Sequence, residues 1–193
     1  VKDLLQNGPS KEAKEREMDG KFFAAYVNGM LNFSRSGVSQ SVSTALANLP
    51  EFQNLKTMID IGGAHGLDCI ATVSKHSSMT GVVFDRPPVV AMAQKTITQY
   101  GMEDRIDVLG GDYTTDSIGN AYDLVYAKGA LNFAGPALHS VIEKIYDSLN
   151  KGGVFVSIHD GLKNEKTQPE DLVISWLPTA MSLIDVSFER HII

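Results

Sequence analysis

The sequence of 193 residues has a single cysteine, no long uninterrupted apolar run, and fewer basic than acidic residues. One cysteine, Cys69, excludes an internal disulfide framework and is typical of a reducing compartment, so we interpret it as a packed thiol. The lack of an apolar run of about 20 residues predicts no membrane span. We find no charged-then-apolar leader and therefore expect a cytoplasmic protein. The net charge of −6 argues against nucleic acid as the main partner.

Length and apolar patterning predict one substantial core and two parts of the chain. Near the N-terminus an apolar residue recurs every four positions, as on one face of a helix: Met18, Phe22, Tyr26 and Met30. A second helical pattern, residues 38–49, ends at Pro50. Residues 1–50 are therefore predicted as a helical linker and residues 51–193 as the ligand-binding domain. Because the chain does not begin with methionine and ends on an apolar run, we expect it to be a piece of a longer protein.

From Lys56 onward, short apolar runs alternate with helical patterns. The predicted strands are Lys56–Ile61, Gly81–Asp85, Ile106–Gly110, Tyr122–Ala127 and Gly153–His159. The predicted helices are Leu67–Ser74, Pro87–Tyr100, Pro136–Asn150 and Pro169–Leu183, with the opening of another at Ser187–Ile193. This alternation predicts an α/β fold: a Rossmann-like, doubly wound, mainly parallel sheet with helices on both faces.

The strongest local signal is the glycine-rich turn after the first predicted strand. The apolar residues Met58, Ile59 and Ile61 are followed by the sequence Gly-Gly-Ala-His-Gly at positions 62–66, and a helical pattern begins next. Glycine lets the backbone bend sharply and approach a ligand closely. The first amides of the helix favour a negative group, and ligands of parallel sheets bind at this edge.

Three acids, Asp60, Asp85 and Asp112, stand at the ends of three successive predicted strands. A carboxylate beside the glycine turn disfavours a pyrophosphate and suits S-adenosylmethionine (SAM), which carries an ammonium and a sulfonium. The second acid suits a ribose hydroxyl pair and the third an adenine amino group. The alternative, that acids at these positions only cap helices and form turns, applies more readily to one acid than to all three. An NAD-binding fingerprint is disfavoured because its later glycine positions hold Ala64 and Leu67.

Five segments carry a resemblance to a known family. Residues 60–66 are similar to Asp-x-Gly-Gly-Gly-x-Gly with Ala64 for the third glycine, and residues 84–89 to Phe-Asp-Leu-Pro-x-Val. Residues 100–105 and 110–113 are similar to the segment leading into an adenine-contacting acid, and Met30 with Ser34-Arg35 to a linker-helix motif. The chain thus resembles the class I SAM-dependent methyltransferases, more narrowly the small-molecule O-methyltransferases that methylate caffeate and related phenols or tailor polyketides and pigments.

The resemblance implies methyl transfer from SAM to the hydroxyl of a small aromatic or hydrophobic acceptor. It implies a set of cofactor contacts, with Lys128 near the adenine: Asp60, Gly62, Gly63, Gly66, Asp85, Arg86, Gly111, Asp112, Tyr113 and Lys128. A second set would line the acceptor pocket: Met30, Phe33, Phe133, Trp176 and Met181. No metal site is predicted.

The sequence departs from the family at the residue that removes the acceptor's proton. In the family this is a histidine after the fourth strand, in a Leu-His-Asp-Trp motif, whereas here Asn132 follows Leu131, and an amide takes no proton at neutral pH. Three histidines, besides acids near the fifth strand, are other candidates: His65, His139 and His159. The alternative is a domain that binds SAM without catalysis, in a regulatory or assembly role.

Two further elements of the family have no candidates in this sequence. These are an N-terminal helical dimerisation domain and the antiparallel hairpin that completes the sheet after the fifth strand. Both departures predict a fragment, and we expect the full-length protein to be a homodimer.

Overall fold

The computed structural model of the protein describes Val27, residues 29–161 and residues 169–171. Its centre is a five-stranded sheet in which every neighbouring pair of strands is parallel. The strands are β1 Thr57–Ile61, β2 Thr80–Asp85, β3 Ile106–Gly110, β4 Tyr122–Lys128 and β5 Leu149–Ile158. Their order is β3-β2-β1-β4-β5, so strand order reverses beside β1. The predicted doubly wound parallel sheet is confirmed.

In the described part of the chain, four α-helices flank the sheet on both faces. They are α1 Ser39–Ala47, α2 Leu67–Ser74, α3 Pro87–Gln99 and α4 Leu138–Ser148. Alternation along β1 separates two cores, because successive side chains of a strand point to opposite faces. Met58 packs with residues of α1, α2 and α3, whereas Ile59 and Ile61 pack with Val141 and Ile145 of α4. Because all five strands are parallel, their carboxyl ends lie at one edge of the sheet.

The predicted end of α4 is two residues too late, and the predicted start of β5 is four residues too late. The sequence pattern predicts a helix to Asn150 and a strand from Gly153, but Leu149 is already extended, with a ψ of 140°. Leu149 pairs with Tyr122, the register then shifts, and Leu124 pairs with Val154. The turn at Gly152, with a φ of +83°, joins the two parts of this irregular strand.

Part of the chain lies outside the described residues. The helix predicted around Met18–Tyr26, most of the helix predicted from Pro169, and both Trp176 and Met181 are among them. Residues 29–33 are helical and run into a π-helical turn, Ser34–Val38, where Gly37 has a φ of 113°. Within the described ranges, no helix is both long and apolar enough to cross a membrane.

Arg105 closes the C-terminal end of α2. Its guanidinium donates hydrogen bonds of 2.5–3.1 Å to the carbonyl oxygens of Val73, His76 and Met79. These carbonyls lie at or beyond the last turn of the helix, where backbone acceptors lack helical partners.

Replacing Arg105 with methionine is expected to lower the free energy of unfolding by about 2 kcal/mol, because three carbonyls lose a charged donor. Urea unfolding measures the change. The matched control is Lys75→Met, which removes an exposed cation from the same end of α2 and is expected to change stability by less than about 0.5 kcal/mol. Equal losses in the two variants would contradict the assigned role of the guanidinium.

Candidate functional site

The glycine turn after β1 is packed between β2 and the segment after β4. The amides of Gly62 and Gly63 both donate to the carbonyl oxygen of Phe84, at 2.8 and 3.2 Å. Gly62 has a φ of +66°, and a Cβ added to it would lie 2.5 Å from the Cβ of Ala130. The turn therefore requires glycine at position 62 for two reasons, its left-handed backbone and the close approach of Ala130.

Asp85, at the end of β2, holds the next part of the turn. Its Oδ2 accepts a hydrogen bond of 2.9 Å from the amide of Ala64, and its Oδ1 accepts one of 2.7 Å from the amide of Arg86. Burial raises the pKa of this carboxyl, and the two backbone hydrogen bonds oppose the rise. The carboxylate is thus fixed at the mouth of the turn, one strand away from β1.

Asp60 has a carboxylate oxygen without a protein partner. The residue is 2% exposed, and its Oδ2 makes no hydrogen bond. Burial, together with the neighbouring charge of Asp68, raises the pKa of Asp60 well above its usual range, although Lys128 acts in the opposite direction. A buried acceptor left unpaired costs free energy, so a donor supplied by a ligand would be favourable here.

Asp68, in the first turn of α2, is the centre of a polar network that the sequence analysis missed. Lys128 Nζ lies 2.5 Å from Asp68 Oδ2, and Tyr126 Oη donates to the same oxygen at 3.1 Å. Ser39 Oγ donates to Asp68 Oδ1 at 2.6 Å. The only sequence signal was an acid two residues after Gly66, which is also an ordinary residue for the first turn of a helix.

His65 is held in one orientation by two hydrogen bonds. Its Nδ1 accepts from the amide of Leu67 at 3.1 Å, and its Nε2 lies 2.8 Å from Ser34 Oγ. Because Nδ1 is the acceptor, the proton of the neutral ring is on Nε2, which donates to Ser34. Burial lowers the pKa of His65 to about 4, with a further lowering from Lys128 and Arg35 against the effect of Asp68.

Protonation of His65 is expected to destabilise the folded chain as the pH falls. The folded-state pKa of about 4 lies below the ordinary 6.5, so between these values the unfolded chain binds more protons. Relative to pH 7, His65 alone should remove up to about 3 kcal/mol of stability by pH 4.

The measurement is the free energy of unfolding against pH for the wild-type chain and the variant His65→Gln. The difference between the two curves isolates the histidine, because Asp60 and Asp85, whose raised pKa values act with opposite sign, are common to both. A difference that stays constant from pH 7 to pH 4 would refute the expectation.

The segment after β3 brings the carboxylate of Asp112 close to Arg86, the residue that follows Asp85. Arg86 Nη2 lies 3.8 Å from Asp112 Oδ2, and both side chains are partly exposed. Although burial opposes it, hydrogen bonds from Thr114 and the charge of Arg86 hold the pKa of Asp112 below its usual value. Tyr113 Oη donates to the carbonyl oxygen of Ala130 at 2.6 Å, which ties this segment to the one after β4.

A cavity of about 400 Å³ runs along this edge of the sheet. Twelve residues proposed from the sequence as cofactor or acceptor contacts line it: Met30, Phe33, Asp60, Gly62, Gly63, Asp85, Arg86, Gly111, Asp112, Tyr113, Lys128 and Phe133. Two of the candidate bases, His65 and His159, line it as well. The other lining residues had no proposed ligand contact: Val27, Ser34, Val38, Ala64, Asp68, Thr114, Gly129, Ala130, Ile158 and Asp160. The structure therefore brings most of the proposed residues together.

Three proposed residues, among those that the structure describes, do not line the cavity. Gly66 begins α2 with a φ of +77°, and a Cβ there would lie 3.3 Å from Val83, so it serves packing. Asn132 is 2% exposed in a 3-10 turn, Leu131–Phe133, and its Nδ2 has no hydrogen-bond partner. His139 is 90% exposed on α4, next to Glu143, and also lies outside the cavity. Within the described ranges, no cluster of metal-binding side chains is found.

A parallel sheet with a ligand cavity at its carboxyl edge, beside the reversal of strand order, defines a nucleotide-type α/β binding domain. Residues 11–183 match the family described as the O-methyltransferase domain. The chain belongs to this family, and the resemblance seen in the sequence motifs is confirmed.

The chain is similar to curated methyltransferases and shares the fold of a solved one. The chain is 29% identical over 118 residues to the N,N-dimethyltransferase OxyT of Streptomyces rimosus, covering 61% of this chain and 34% of the relative. It is 29% identical over 117 residues to the phenazine O-methyltransferase PhzM of Lysobacter antibioticus, covering 58% and 34%. The fold matches human N-acetylserotonin methyltransferase, solved in complex with SAM, with a TM-score of 0.69 and 20% identity over 97% of this chain and 55% of that one.

The chain spans only part of these proteins. It covers 34–40% of the length of the first curated relatives that it matches.

Proposed function

We propose that the chain binds SAM in the cavity and supports transfer of its methyl group to the hydroxyl of a small aromatic or hydrophobic acceptor. The observation that carries the proposal is the unpartnered Oδ2 of Asp60, a buried carboxylate oxygen at a site lined by further acids. A cationic ligand without phosphate satisfies this oxygen, whereas a pyrophosphate would bring negative charge against it.

The order of the strands supports one direction for the ligand along the cavity. Asp60, on the central strand β1, would meet the ammonium of the methionine end, and Asp85, on β2, the ribose hydroxyls. Asp112, which follows the edge strand β3, would meet the adenine amino group. The remaining proposed contacts are Gly62, Gly63, Arg86, Gly111 and Tyr113, all of which line the cavity.

Lys128 fits the methionine end better than the adenine. Lys128 is the last residue of β4, whereas Asp112 follows β3. The strands β1 and β2 lie between β4 and β3 in the sheet. Because neighbouring strands are about 4.8 Å apart, the ends of β4 and β3 are separated by about 14 Å. We therefore assign Lys128, held by Asp68, to the carboxylate of the methionine end.

When bound, SAM supplies a methyl group on a positively charged sulfur that leaves with the electron pair of the broken bond. The contribution of the chain is to hold the ligand and the acceptor in line and to exclude water, and positioning of this kind can lower a barrier by about 7–11 kcal/mol. The fixed carboxylate of Asp85 and the narrow turn at Gly62 provide this rigidity.

The acceptor side of the cavity is apolar. It is lined by Met30, Phe33, Val38, Phe133 and Ile158, and Phe33 and Ile158 are 58% and 40% exposed. An aromatic or hydrophobic acceptor would cover these side chains, which is favourable by about 25 cal/mol per Å² of buried apolar surface. We further propose that Trp176 and Met181 belong to this pocket, that the full-length protein is a cytoplasmic homodimer, and that residues 1–50 serve as its linker.

Isothermal titration calorimetry with SAM and with its demethylated product, S-adenosylhomocysteine, tests the cofactor site. NAD and ADP serve as controls, because they carry the same adenosine with phosphates. We expect binding of both adenosyl sulfur compounds and weaker or no binding of the phosphate-bearing nucleotides. Preference for NAD or ADP, or no heat with any adenosyl sulfur compound, would refute the proposed function.

A further inference from the structure

We infer that His159 accepts the proton of the acceptor hydroxyl. The inference rests on the proposed methyl transfer and adds to it the group that activates the acceptor. A phenol or alcohol is a better nucleophile without its proton, and a positioned base typically contributes about 10²–10⁴-fold to a rate. The candidate base must line the cavity on its acceptor side and have a nitrogen or oxygen that can take a proton.

Most titratable groups of the cavity are held by other contacts. Asp85 binds two backbone amides, and Asp68 binds Ser39, Tyr126 and Lys128. Asp112 accepts from the amide and the hydroxyl of Thr114. Tyr113 donates to the carbonyl of Ala130, and burial raises its pKa, which makes it a poor base at neutral pH. These groups line the part of the cavity assigned to the ligand.

His65 lines the cavity but cannot serve as the base. Its Nδ1 lone pair accepts from the amide of Leu67, and its Nε2 carries the proton donated to Ser34. Protonation would therefore require loss of the Leu67 hydrogen bond, and the pKa of about 4 agrees with this.

His159 lies at the carboxyl end of β5, on the acceptor side. Its neighbour Ile158 pairs with Lys128, and the carbonyl of Ile158 accepts a 2.8 Å hydrogen bond from the amide of Gly129. The segment that begins at Gly129 supplies Ala130 and Phe133 to the cavity wall. His159 therefore shares the cavity with the apolar residues assigned to the acceptor.

A neighbouring hydroxyl is in position to orient the ring of His159. Ser157 Oγ lies 3.4 Å from His159 Nδ1. In the tautomer with its proton on Nδ1, the ring donates to Ser157, and Nε2 keeps a lone pair that can take a proton.

The proton step is balanced within the site. The O–H bond of the acceptor breaks, its electron pair stays on oxygen, and the proton forms a bond with Nε2 of His159. The oxygen can then attack the methyl carbon, and the imidazolium releases its proton to water afterwards. No metal or redox partner is needed.

Asp160, which also lines the cavity, is the competing assignment. The imidazole is favoured because Ser157 Oγ, 3.4 Å from its Nδ1, can fix the ring while Nε2 takes the proton.

The test compares His159→Gln with the wild-type chain and with two further variants, Asp160→Asn and His139→Gln. His139 is the matched control, since it is exposed and lies outside the cavity. With SAM and a panel of phenols from unsubstituted phenol to 4-nitrophenol, we expect His159→Gln to lower kcat by about 10²–10⁴-fold. The loss should be largest for the least acidic phenol, while S-adenosylhomocysteine binding stays within about twofold and His139→Gln retains full activity.

A second readout does not depend on turnover. Absorbance reports whether 4-nitrophenol ionises when it binds to the complex of the chain with S-adenosylhomocysteine, at a pH where the free phenol is mostly protonated. We expect ionisation with the wild-type chain and with Asp160→Asn, and none with His159→Gln.

The outcomes separate the inference from the proposed function. If S-adenosylhomocysteine binds and phenols are methylated, but His159→Gln matches the wild type or only Asp160→Asn loses activity, the inference is wrong and the proposed function stands. If S-adenosylhomocysteine binds but wild-type chain neither methylates nor ionises any phenol, His159 is not a base for hydroxyl acceptors, and the non-catalytic alternative is favoured. If no adenosyl sulfur compound binds, the proposed function itself fails.

Discussion

Replacing Asp85 with alanine is expected to weaken S-adenosylhomocysteine binding by about 100-fold or more. The carboxylate would lose its proposed bonds to the ribose hydroxyls, and hydrogen bonds to a charged group contribute about 1.5–3 kcal/mol each. The amide of Ala64, which now donates to Asp85 Oδ2 at 2.9 Å, would also lose its partner, so the turn itself would loosen. About 2.7 kcal/mol corresponds to the 100-fold change, measurable by calorimetry.

Two variants complete this experiment. Asp85→Asn keeps one carbonyl oxygen that can accept from Ala64, and we expect an intermediate loss of about tenfold. Asp107→Ala removes an exposed carboxylate on the neighbouring strand β3, outside the cavity, and should leave the affinity unchanged. Unaltered binding by Asp85→Ala, with the fold intact by circular dichroism, would show that the end of β2 does not hold the ribose.

The second large effect is expected for Gly62→Ala, which should lower the free energy of unfolding by about 2–5 kcal/mol. A left-handed backbone costs a non-glycine residue about 1–2 kcal/mol, and Gly62 has a φ of +66°. The new Cβ would lie 2.5 Å from the Cβ of Ala130, and overpacking of this kind costs a further 1–3 kcal/mol, roughly. Urea unfolding measures the sum.

Two comparisons divide this sum into its parts. Gly101 has a nearly equal φ of +63° with nothing within 4 Å of an added Cβ, so Gly101→Ala measures the backbone cost alone. Adding Ala130→Gly to Gly62→Ala removes the Cβ of Ala130, with which the new Cβ would clash. The added substitution should therefore recover more stability than Ala130→Gly costs in the wild-type chain. Equal destabilisation by Gly62→Ala and Gly101→Ala would rule out the steric contribution.

Local patterns were sufficient to predict most of the fold. The helix predicted at Leu67–Ser74 coincides with α2, and the strand predicted at Ile106–Gly110 coincides with β3. Both begin or end next to glycine or proline and have clear apolar periodicity. The misplaced start of β5 has the opposite character: Leu149 and Gly152 belong to a strand whose register shifts, and register depends on the partner strand β4.

The site was predictable where it follows from strand ends and was missed where it depends on contacts distant in sequence. Asp60, Asp85 and Asp112 lie within two residues of strand ends and meet at one cavity because parallel strands share an edge. By contrast, the ion pair of Asp68 with Lys128 joins residues 60 positions apart on α2 and β4, which no local pattern indicates.

The position at which the family has its histidine base did not indicate a base in this chain. Asn132 lies where the family has a histidine, but the 3-10 turn Leu131–Phe133 buries its side chain away from the cavity. The candidate that replaces it, His159, comes from a different strand.

Two serines of the N-terminal segment bear on where this chain can be shortened. Ser34 bonds to His65 at the glycine turn, and Ser39 bonds to Asp68 in the helix that follows. The boundary predicted after residue 50 thus crosses interactions that fix the binding edge, and Met30, Phe33 and Val38 are part of the cavity wall. A truncated form beginning at residue 51 would lack the residues that form one wall of the cavity. Deletion series and crystallisation trials should therefore keep the chain from Val27 onward.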